Sequence, residues 1–184
     1  NAESNLFQIA ENNMSKQALS MKNLLGEAIQ EIEKASKNKD GISGVASGFH
    51  DLDKITAGWQ RSDMIVLAAR PGMGKTAFIL SMARNTAIDH KMGVAIFSLE
   101  MSSVQLVKRL IASEARIDSV KLRKGELQDH EFQQMHSRIV NLSSAPIFID
   151  DTPAISIFEL RAKCRRLKNL HDIKVIIIDY LQLM

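Results

Sequence analysis

Eight consecutive residues in the first half of the chain have the types and spacing of a phosphate-binding loop. Gly72 and Gly74 allow backbone conformations in which N–H groups turn toward an anion. Lys75 supplies a mobile positive charge, and the hydroxyl of Thr76 can contact Mg²⁺. The predicted nucleotide-binding residues are Ala69, Arg70, Pro71, Gly72, Met73, Gly74, Lys75 and Thr76.

The segments on either side of this loop have different patterns. Residues 64–68 are apolar and predict a strand, whereas residues 77–82 predict a helix that starts near Lys75. The positive end of that helix dipole would face the phosphate. Ala69 departs from the usual pattern, which opens with glycine, but Gly72 and Gly74 remain and we expect the loop to form. The alternative is an ordinary strand–turn–helix corner.

Two acidic residues follow apolar segments elsewhere in the chain. Asp179 ends the run at residues 175–178, as in nucleotide sites where a carboxylate helps to hold Mg²⁺, commonly through water, beside the loop threonine. Glu100 follows the apolar residues 94–99 and could orient and deprotonate the water that attacks a γ-phosphate. The alternative for Glu100 is an interaction with the dipole of the next helix.

The order of elements predicts how these residues come together. Apolar strands at residues 64–68, 94–99, 147–149 and 175–178 alternate with helices, two of which begin with the capping patterns Ser102/Gln105 and Ser156/Glu159. This alternation predicts an α/β fold with a mostly parallel sheet and helices on both faces. Ligands of such sheets lie beyond the carboxyl ends of the strands, so we expect Glu100 and Asp179 to converge on Lys75 and Thr76.

A separate helix precedes this alternation. From about Ser20 to Lys37, apolar residues recur at intervals of three and four and form one stripe, which needs a packing partner. A polar segment at residues 36–41 ends the helix, and residues 1–17 predict a connector. The predicted organisation is a connector and helix over residues 1–40 and an α/β domain over residues 41–184.

Composition limits the remaining choices. The 184 residues are 45% hydrophobic, enough for one principal domain. A net charge of +3 suits either nucleic acid binding or a modest lysine excess. The single cysteine, Cys164, excludes an internal disulfide and favours a cytoplasmic location, and no apolar run has membrane-spanning length. Because the sequence starts at Asn1 without a methionine or leader, we expect a segment of a longer protein.

Two further groups of residues are candidate sites. The helix after residue 156 carries a basic face that would suit nucleic acid, although a solvated helix face is the favoured interpretation. Its basic residues are Arg161, Lys163, Arg165, Arg166 and Lys168. The five histidines lack metal-ligand spacing and predict surface or packing roles; they are His50, His90, His130, His136 and His171.

Several motifs together resemble one family, the bacterial DnaB-type replicative helicases. The resemblance runs from the helix near Ser20 to the end of the chain, and Ala69 is ordinary within that family. The motifs are Ser47-Gly48-Phe49, Leu52-Asp53, Gly58-Trp59, the loop at residues 69–76, Phe97-Ser98-Leu99-Glu100-Met101-Ser102 and Ile178-Asp179-Tyr180-Leu181-Gln182-Leu183-Met184. The Ser-Leu-Glu-Met-Ser and Asp-Tyr-Leu-Gln segments separate this family from other RecA-like ATPases.

The resemblance implies a RecA-like ATPase with ATP and Mg²⁺ bound between the subunits of a hexameric ring. Lys75 and the loop amides would bind the β- and γ-phosphates, Thr76 and Asp179 would hold Mg²⁺, and Glu100 would activate water. The ring would move along single-stranded DNA and displace the complementary strand. The helix from about Ser20 would be a linker helix that docks on a neighbouring subunit, and the family implies primase and helicase-loader partners within a primosome.

The resemblance also implies parts outside these residues. A helical domain would precede Asn1, and the DNA-contacting loops and an arginine finger would follow Met184. One more core strand would lie between the strand ending at Asp179 and the strand entering the phosphate loop. Without these parts we expect negligible ATPase activity.

Two alternative functions remain open at this point. The chain could belong to another RecA-like ATPase, such as a recombinase or repair ATPase. It could also be a nucleotide-binding and subunit-docking module without turnover.

Overall fold

The computed structural model describes residues 20–37 and 41–183. The predicted connector at residues 1–17 and part of the predicted helix break, residues 38–40, lie outside the described residues. Internal contacts divide the chain into two compact units, Asn1–Gly41 and Ile42–Met184.

The first unit contains helix α1, Met21–Lys37. The predicted helix is therefore confirmed to within one residue at its start. Large apolar side chains along it are exposed to solvent; they include Met21, Leu24, Leu25, Ile29 and Ile32. Helical periodicity identified this element because the stripe recurs at the helix repeat.

The second unit alternates helices and strands as predicted. Its elements are α2 (His50–Thr56), α3 (Lys75–Arg84), β1 (Gly93–Ser98), α4 (Ser103–Ala115), α5 (Ser119–Lys124), α6 (Asp129–Ser143), β2 (Ile147–Asp150), α7 (Ile157–His171) and β3 (Ile173–Asp179). A π-helical turn, Asn85–Asp89, continues α3. The short helices α2 and α5 were not predicted, because six or seven residues are too few for a clear periodic stripe.

The strands in the described part of the chain form a parallel sheet with the order β2-β1-β3. All residues of the central strand β1 are buried. Val94 lies opposite Ile147 of β2 and Val175 of β3, and Ser98 lies opposite Asp179. This register brings the carboxyl ends of β1 and β3 together at one edge, as the sequence predicted.

Successive residues of β1 face two different core layers, so helices cover both faces of the sheet. Val94 and Ile96 pack with the layer that contains α3 and α4; its buried members include Ile79, Leu80, Met82, Ala83, Leu106 and Leu110. Ala95 and Phe97 pack with the layer that contains Leu160 of α7. The alternation follows from the two-residue period of a strand, which sends neighbouring side chains to opposite faces.

The predicted first strand, residues 64–68, is wrong: residues 63–70 have no regular secondary structure. Its large apolar side chains, Met64, Ile65, Val66 and Leu67, are exposed. A strand requires a neighbouring backbone to accept and donate its hydrogen bonds. No described strand lies beside this segment, so its apolar composition alone does not produce a strand.

The apolar faces that the sequence predicts for α4 and α7 need correction. Helical spacing predicts that they are formed by Val104, Val107, Leu110 and Ile111 in α4 and by Ile157, Leu160, Cys164 and Leu167 in α7. On α4, Val104 is 62% exposed and Val107 is also exposed, whereas Leu106 and Leu110 are buried. Residues four apart share one side of a helix, and the pair at 106 and 110 defines the side that meets the sheet. On α7, Ile157 is exposed in the same way, at the first turn of the helix.

A buried carboxylate fixes the segment that precedes the phosphate loop. Asp53 accepts hydrogen bonds from the Ser47 N–H and hydroxyl at 2.8 and 2.7 Å and from the Gly48 N–H at 3.0 Å. These three donors compensate the cost of burying the charge. The Phe49 ring stacks on Phe78 of α3 with 4.9 Å between centroids. The segment is thereby attached to the helix that follows the loop.

Candidate nucleotide site

The phosphate-binding loop is anchored by α3, the helix that follows it. Lys75 and Thr76 are the first residues of this helix, and Gly74 precedes it with φ of 88°. Buried Ile79 and Leu80 anchor the helix in the core. The first backbone N–H groups of a helix have no partner within it, so the start of α3 presents free donors and a positive dipole end.

The loop itself is open to solvent. All residues from 69 to 74 are exposed, and the Met73 N–H donates to the Arg70 carbonyl at 3.2 Å, which closes a turn. Gly72 and Gly74 both have positive φ, and a Cβ built on either would meet no atom within 4 Å. The glycines therefore provide the required backbone conformation and leave space above the loop for an anion.

Asp179, the last residue of β3, connects the sheet to the loop. Its Oδ1 lies 3.0 Å from Nζ of Lys75, and its Oδ2 accepts a hydrogen bond from the Thr76 hydroxyl at 3.0 Å. The residue is only 5% exposed. The structure thus brings together Lys75, Thr76 and Asp179, three of the predicted site residues.

The carboxylate of Asp179 has an oxygen suited to a cation. Oδ1 is buried and receives no hydrogen bond, although the Lys75 ammonium lies near it. No cluster of three or more His, Cys, Asp or Glu side chains forms a metal site among the residues described. Mg²⁺ usually binds proteins through one or two carboxylates together with substrate phosphates. Asp179 with the Thr76 hydroxyl fits that donor set.

Glu100 lies at the same edge of the sheet but makes no hydrogen bond or ion pair to the other site residues. Ser98, opposite Asp179, ends β1; its hydroxyl donates to the Met101 carbonyl at 2.7 Å and accepts from the Met101 N–H at 3.2 Å. This turn leaves the Glu100 side chain exposed, with no hydrogen bond or ion pair to any described residue. The Leu99 N–H donates to the Asp179 carbonyl at 2.8 Å, which ties the turn to the end of β3.

Sequence reasoning missed one side chain at this site. The ring of Tyr180 lies over the Lys75 ammonium, with 4.5 Å between Nζ and the ring centroid. Its signals in the sequence are its place directly after the strand-ending Asp179 and its membership of the Asp-Tyr-Leu-Gln segment, and neither gives it a role. Contact with Lys75 depends on how β3 meets α3, which no local pattern encodes.

Two cations of the basic face of α7 and the single cysteine have surroundings that the structure defines. On the basic face of α7, Lys163 pairs with Asp150 at 2.8 Å and Glu159 at 3.3 Å, and Lys168 pairs with Asp172 at 2.7 Å. Two of its five cations are thus engaged within the chain, which favours a solvated helix face. Burial raises the pKa of the Cys164 thiol, so the sole cysteine is a poor nucleophile.

A carboxylate stands at the start of α4. The Ser103 N–H donates to Asp151 Oδ2 at 2.7 Å, and this backbone hydrogen bond holds the pKa of Asp151 below its usual range. The predicted cap is also present, because the Ser102 N–H donates to Gln105 Oε1 at 3.3 Å. The Ser102 and Ser103 N–H groups at the start of α4 are therefore occupied.

Comparison with known proteins identifies relatives of this arrangement. Residues 44–184 match the DnaB-like helicase C terminal domain. The chain is 42% identical over 183 residues to replicative DNA helicase DnaC of Bacillus subtilis (strain 168), covering 100% of this chain and 40% of that protein. It is 43% identical over 184 residues to replicative DNA helicase DnaB of Geobacillus stearothermophilus, with the same coverage of 100% and 40%.

Solved structures show the same likeness in three dimensions. One of them, described as an ATPase domain, has 34% sequence identity and a TM-score of 0.82, over 91% of this chain and 59% of that one. A DnaB-like replicative helicase, solved in a study of its interactions with primase, has 34% identity and a TM-score of 0.76 over 99% and 43%. The chain spans about two fifths of the length of the two curated relatives.

Among the helices in the described residues, none is both long and apolar enough to cross a membrane.

Proposed function

Because the chain belongs to the DnaB-like helicase C-terminal domain family, we propose that it binds and hydrolyses ATP with Mg²⁺ to drive the unwinding of DNA. The predicted α/β fold of the RecA-like ATPases is confirmed by the parallel sheet and by its structural neighbours. We propose this activity, its substrates and its assembly for the protein that contains these residues.

The observation that carries the proposal is the position of Asp179. One carboxylate oxygen lies beside the Lys75 ammonium and the other accepts from the Thr76 hydroxyl. An ordinary strand–turn–helix corner would not require Lys75, Thr76 and Asp179 to contact one another. The open cradle at Gly72 and Gly74 lies directly before them.

Each site residue has a separate task in this proposal. The Lys75 ammonium and the N–H groups at the start of α3 bind the β- and γ-phosphates, because they present positive charge and free donors. Thr76 and Asp179 would hold Mg²⁺, and the ion would supply positive charge against the phosphates. Glu100, exposed beside the end of β3, accepts a proton from the attacking water.

The larger assembly is also a proposal. We assign α1 as a linker helix that docks on a second copy of the chain, which gives its exposed apolar stripe a partner and builds a hexameric ring. The ring would act on single-stranded DNA at a replication fork, in the cytoplasm, with primase and a helicase loader. The family and the study of one structural neighbour with primase support this assignment.

The test measures phosphate release and strand displacement by the full-length protein. We expect release that requires Mg²⁺ and rises with single-stranded DNA, together with displacement of one strand of a forked duplex. Release without displacement would indicate another RecA-like ATPase. Binding without release would indicate a docking module without turnover, and absence of nucleotide binding would overturn the proposal.

A further inference from the structure

Two side chains of different character hold the Lys75 ammonium. Asp179 Oδ1 lies 3.0 Å from Nζ, and the centre of the Tyr180 ring lies 4.5 Å from the same atom. A cation within about 6 Å of an aromatic ring face is attracted by the negative face of the ring. We propose that Tyr180 is a positioning residue whose ring keeps Lys75 at the mouth of the phosphate-binding loop. This inference rests on the proposed nucleotide binding.

The ring rather than the hydroxyl of Tyr180 carries this role. The Tyr180 hydroxyl makes no hydrogen bond or ion pair to any residue that the structure describes. Its contact with Lys75 is made by the ring face. Phenylalanine retains that face, whereas leucine retains only apolar volume. Comparing the two substitutions therefore distinguishes the effect of the cation–π contact from the effect of side-chain volume.

Lys75 needs such a contact because its other neighbour competes for the charge. In the structure the ammonium already pairs with the carboxylate that we assign to Mg²⁺, 3.0 Å from Oδ1. The Tyr180 ring attracts the ammonium without a negative charge, so it holds Lys75 near the loop when Mg²⁺ replaces the ammonium on Asp179. The Lys75 side chain is 27% exposed, which leaves it accessible to a ligand. Holding a flexible lysine in place before binding reduces the ordering cost of binding.

The first test is a double-mutant cycle read by calorimetric titration of the full-length protein with Mg–ATP under non-hydrolysing conditions. We expect Tyr180→Leu to raise Kd about twofold to fivefold. Tyr180→Phe should bind as the wild type does, because it restores the ring. In a Lys75→Met background, Tyr180→Leu should have no further effect, since the ammonium that it positions is absent.

The outcomes distinguish the two proposals. If the wild type binds no nucleotide, the proposed function fails. If the wild type binds and Lys75→Met weakens binding, but Tyr180→Leu equals the wild type, tightens binding or acts equally in both backgrounds, the role of Tyr180 alone is overturned.

A second measurement reads the Tyr180 ring directly. In the full-length protein with labelled tyrosine rings, the NMR signals of Tyr180 are those that are absent from Tyr180→Phe. We expect these signals to shift between the wild type and Lys75→Met and to shift when Mg–ATP is added to the wild type. Ring signals that are unchanged by removal of the ammonium would contradict the contact.

Discussion

Two apolar segments lead to the nucleotide site, and they differ in secondary structure and in burial. The strand β3 pairs along its length with β1 and buries Ile177, whereas residues 64–68 form no strand and expose Val66 and its apolar neighbours. Their compositions are alike. The difference shows that apolar β-branched residues favour a strand, but a neighbouring backbone decides whether the strand forms.

This difference determines which parts of the site are anchored. The groups that contact one another belong to α3 and β3, which are packed in the core: Lys75, Thr76 and Asp179. The loop residues before them, 69–74, are exposed. We therefore expect the chemistry to depend strongly on α3 and β3 and the stability to depend little on residues 64–68.

The largest expected effect is on nucleotide binding, from a substitution in α3. Lys75→Ala should abolish tight nucleotide binding, with an increase in Kd on the order of a hundredfold, because a charged hydrogen-bond donor to phosphate is lost. Calorimetric titration measures the affinity, and thermal unfolding should show little loss of fold. Lys54→Ala removes an exposed lysine of α2 and serves as the control. Wild-type affinity in Lys75→Ala would refute the assigned site.

The next effect concerns Glu100, which lies at the sheet edge and makes no hydrogen bond or ion pair to any described residue. Glu100→Gln should keep nucleotide binding but lower kcat by about 10²–10⁴, the usual contribution of a general base. Phosphate release by the full-length protein measures the rate, with Glu126→Gln as a control at another exposed carboxylate. A kcat within about tenfold of the wild-type value would leave only the alternative, an interaction with the dipole of α4.

A matched pair of valines tests the comparison of the two segments directly. Val94 in β1 is 0% exposed, and Val66 is 74% exposed. Val94→Ala should cost about 2 kcal/mol of unfolding free energy, from lost burial and the cavity left behind. Val66→Ala should change stability by less than about 0.5 kcal/mol. Denaturant unfolding measures both, and equal costs would show that residues 64–68 are packed in solution.

The sequence predicted most of the helices and strands because their apolar residues recur in local patterns. The apolar runs that became β1, β2 and β3 have the length of a strand, and the stripe of α1 has the helical period. The strand at residues 64–68 could not be judged in this way, because its pairing depends on residues distant in the chain. The helix faces at Val104 and Ile157 also depended on where each helix meets the sheet.

The site was predictable in its residue types but not in its contacts. The glycines, Lys75, Thr76 and Asp179 were identified from spacing, and the topology of a parallel sheet implied that Asp179 would meet the loop. The contact between Tyr180 and Lys75 required the three-dimensional placement of β3 against α3. The role of Glu100 remains a prediction, since its side chain makes no hydrogen bond or ion pair to any described residue.

The smallest expected effect lies at the other end of β3. Asp172 precedes the strand, and ion pairs with Lys168 and Lys174, each at 2.7 Å, lower the pKa of its carboxyl to about 2. An unfolded chain has an aspartate pKa near 3.9. The stabilisation by this carboxylate is therefore present above about pH 4 and is lost as the pH falls through about 2. Because the group is exposed, the effect on stability should be small.

Carboxyl NMR titration should give Asp172 a midpoint near 2, well below that of a free aspartate. Asp172→Asn is the matched variant, because asparagine tolerates the left-handed conformation that Asp172 adopts at φ of 49°. The difference in Tm between wild type and variant should shrink as the pH falls from about 4 to about 2. If a normal midpoint were found, the ion pairs would not persist in solution, and pairing with β1 alone would hold the start of β3. In that case backbone pairing with β1 would alone explain why β3 forms a strand. Residues 64–68 have no such pairing with any described strand and therefore form none.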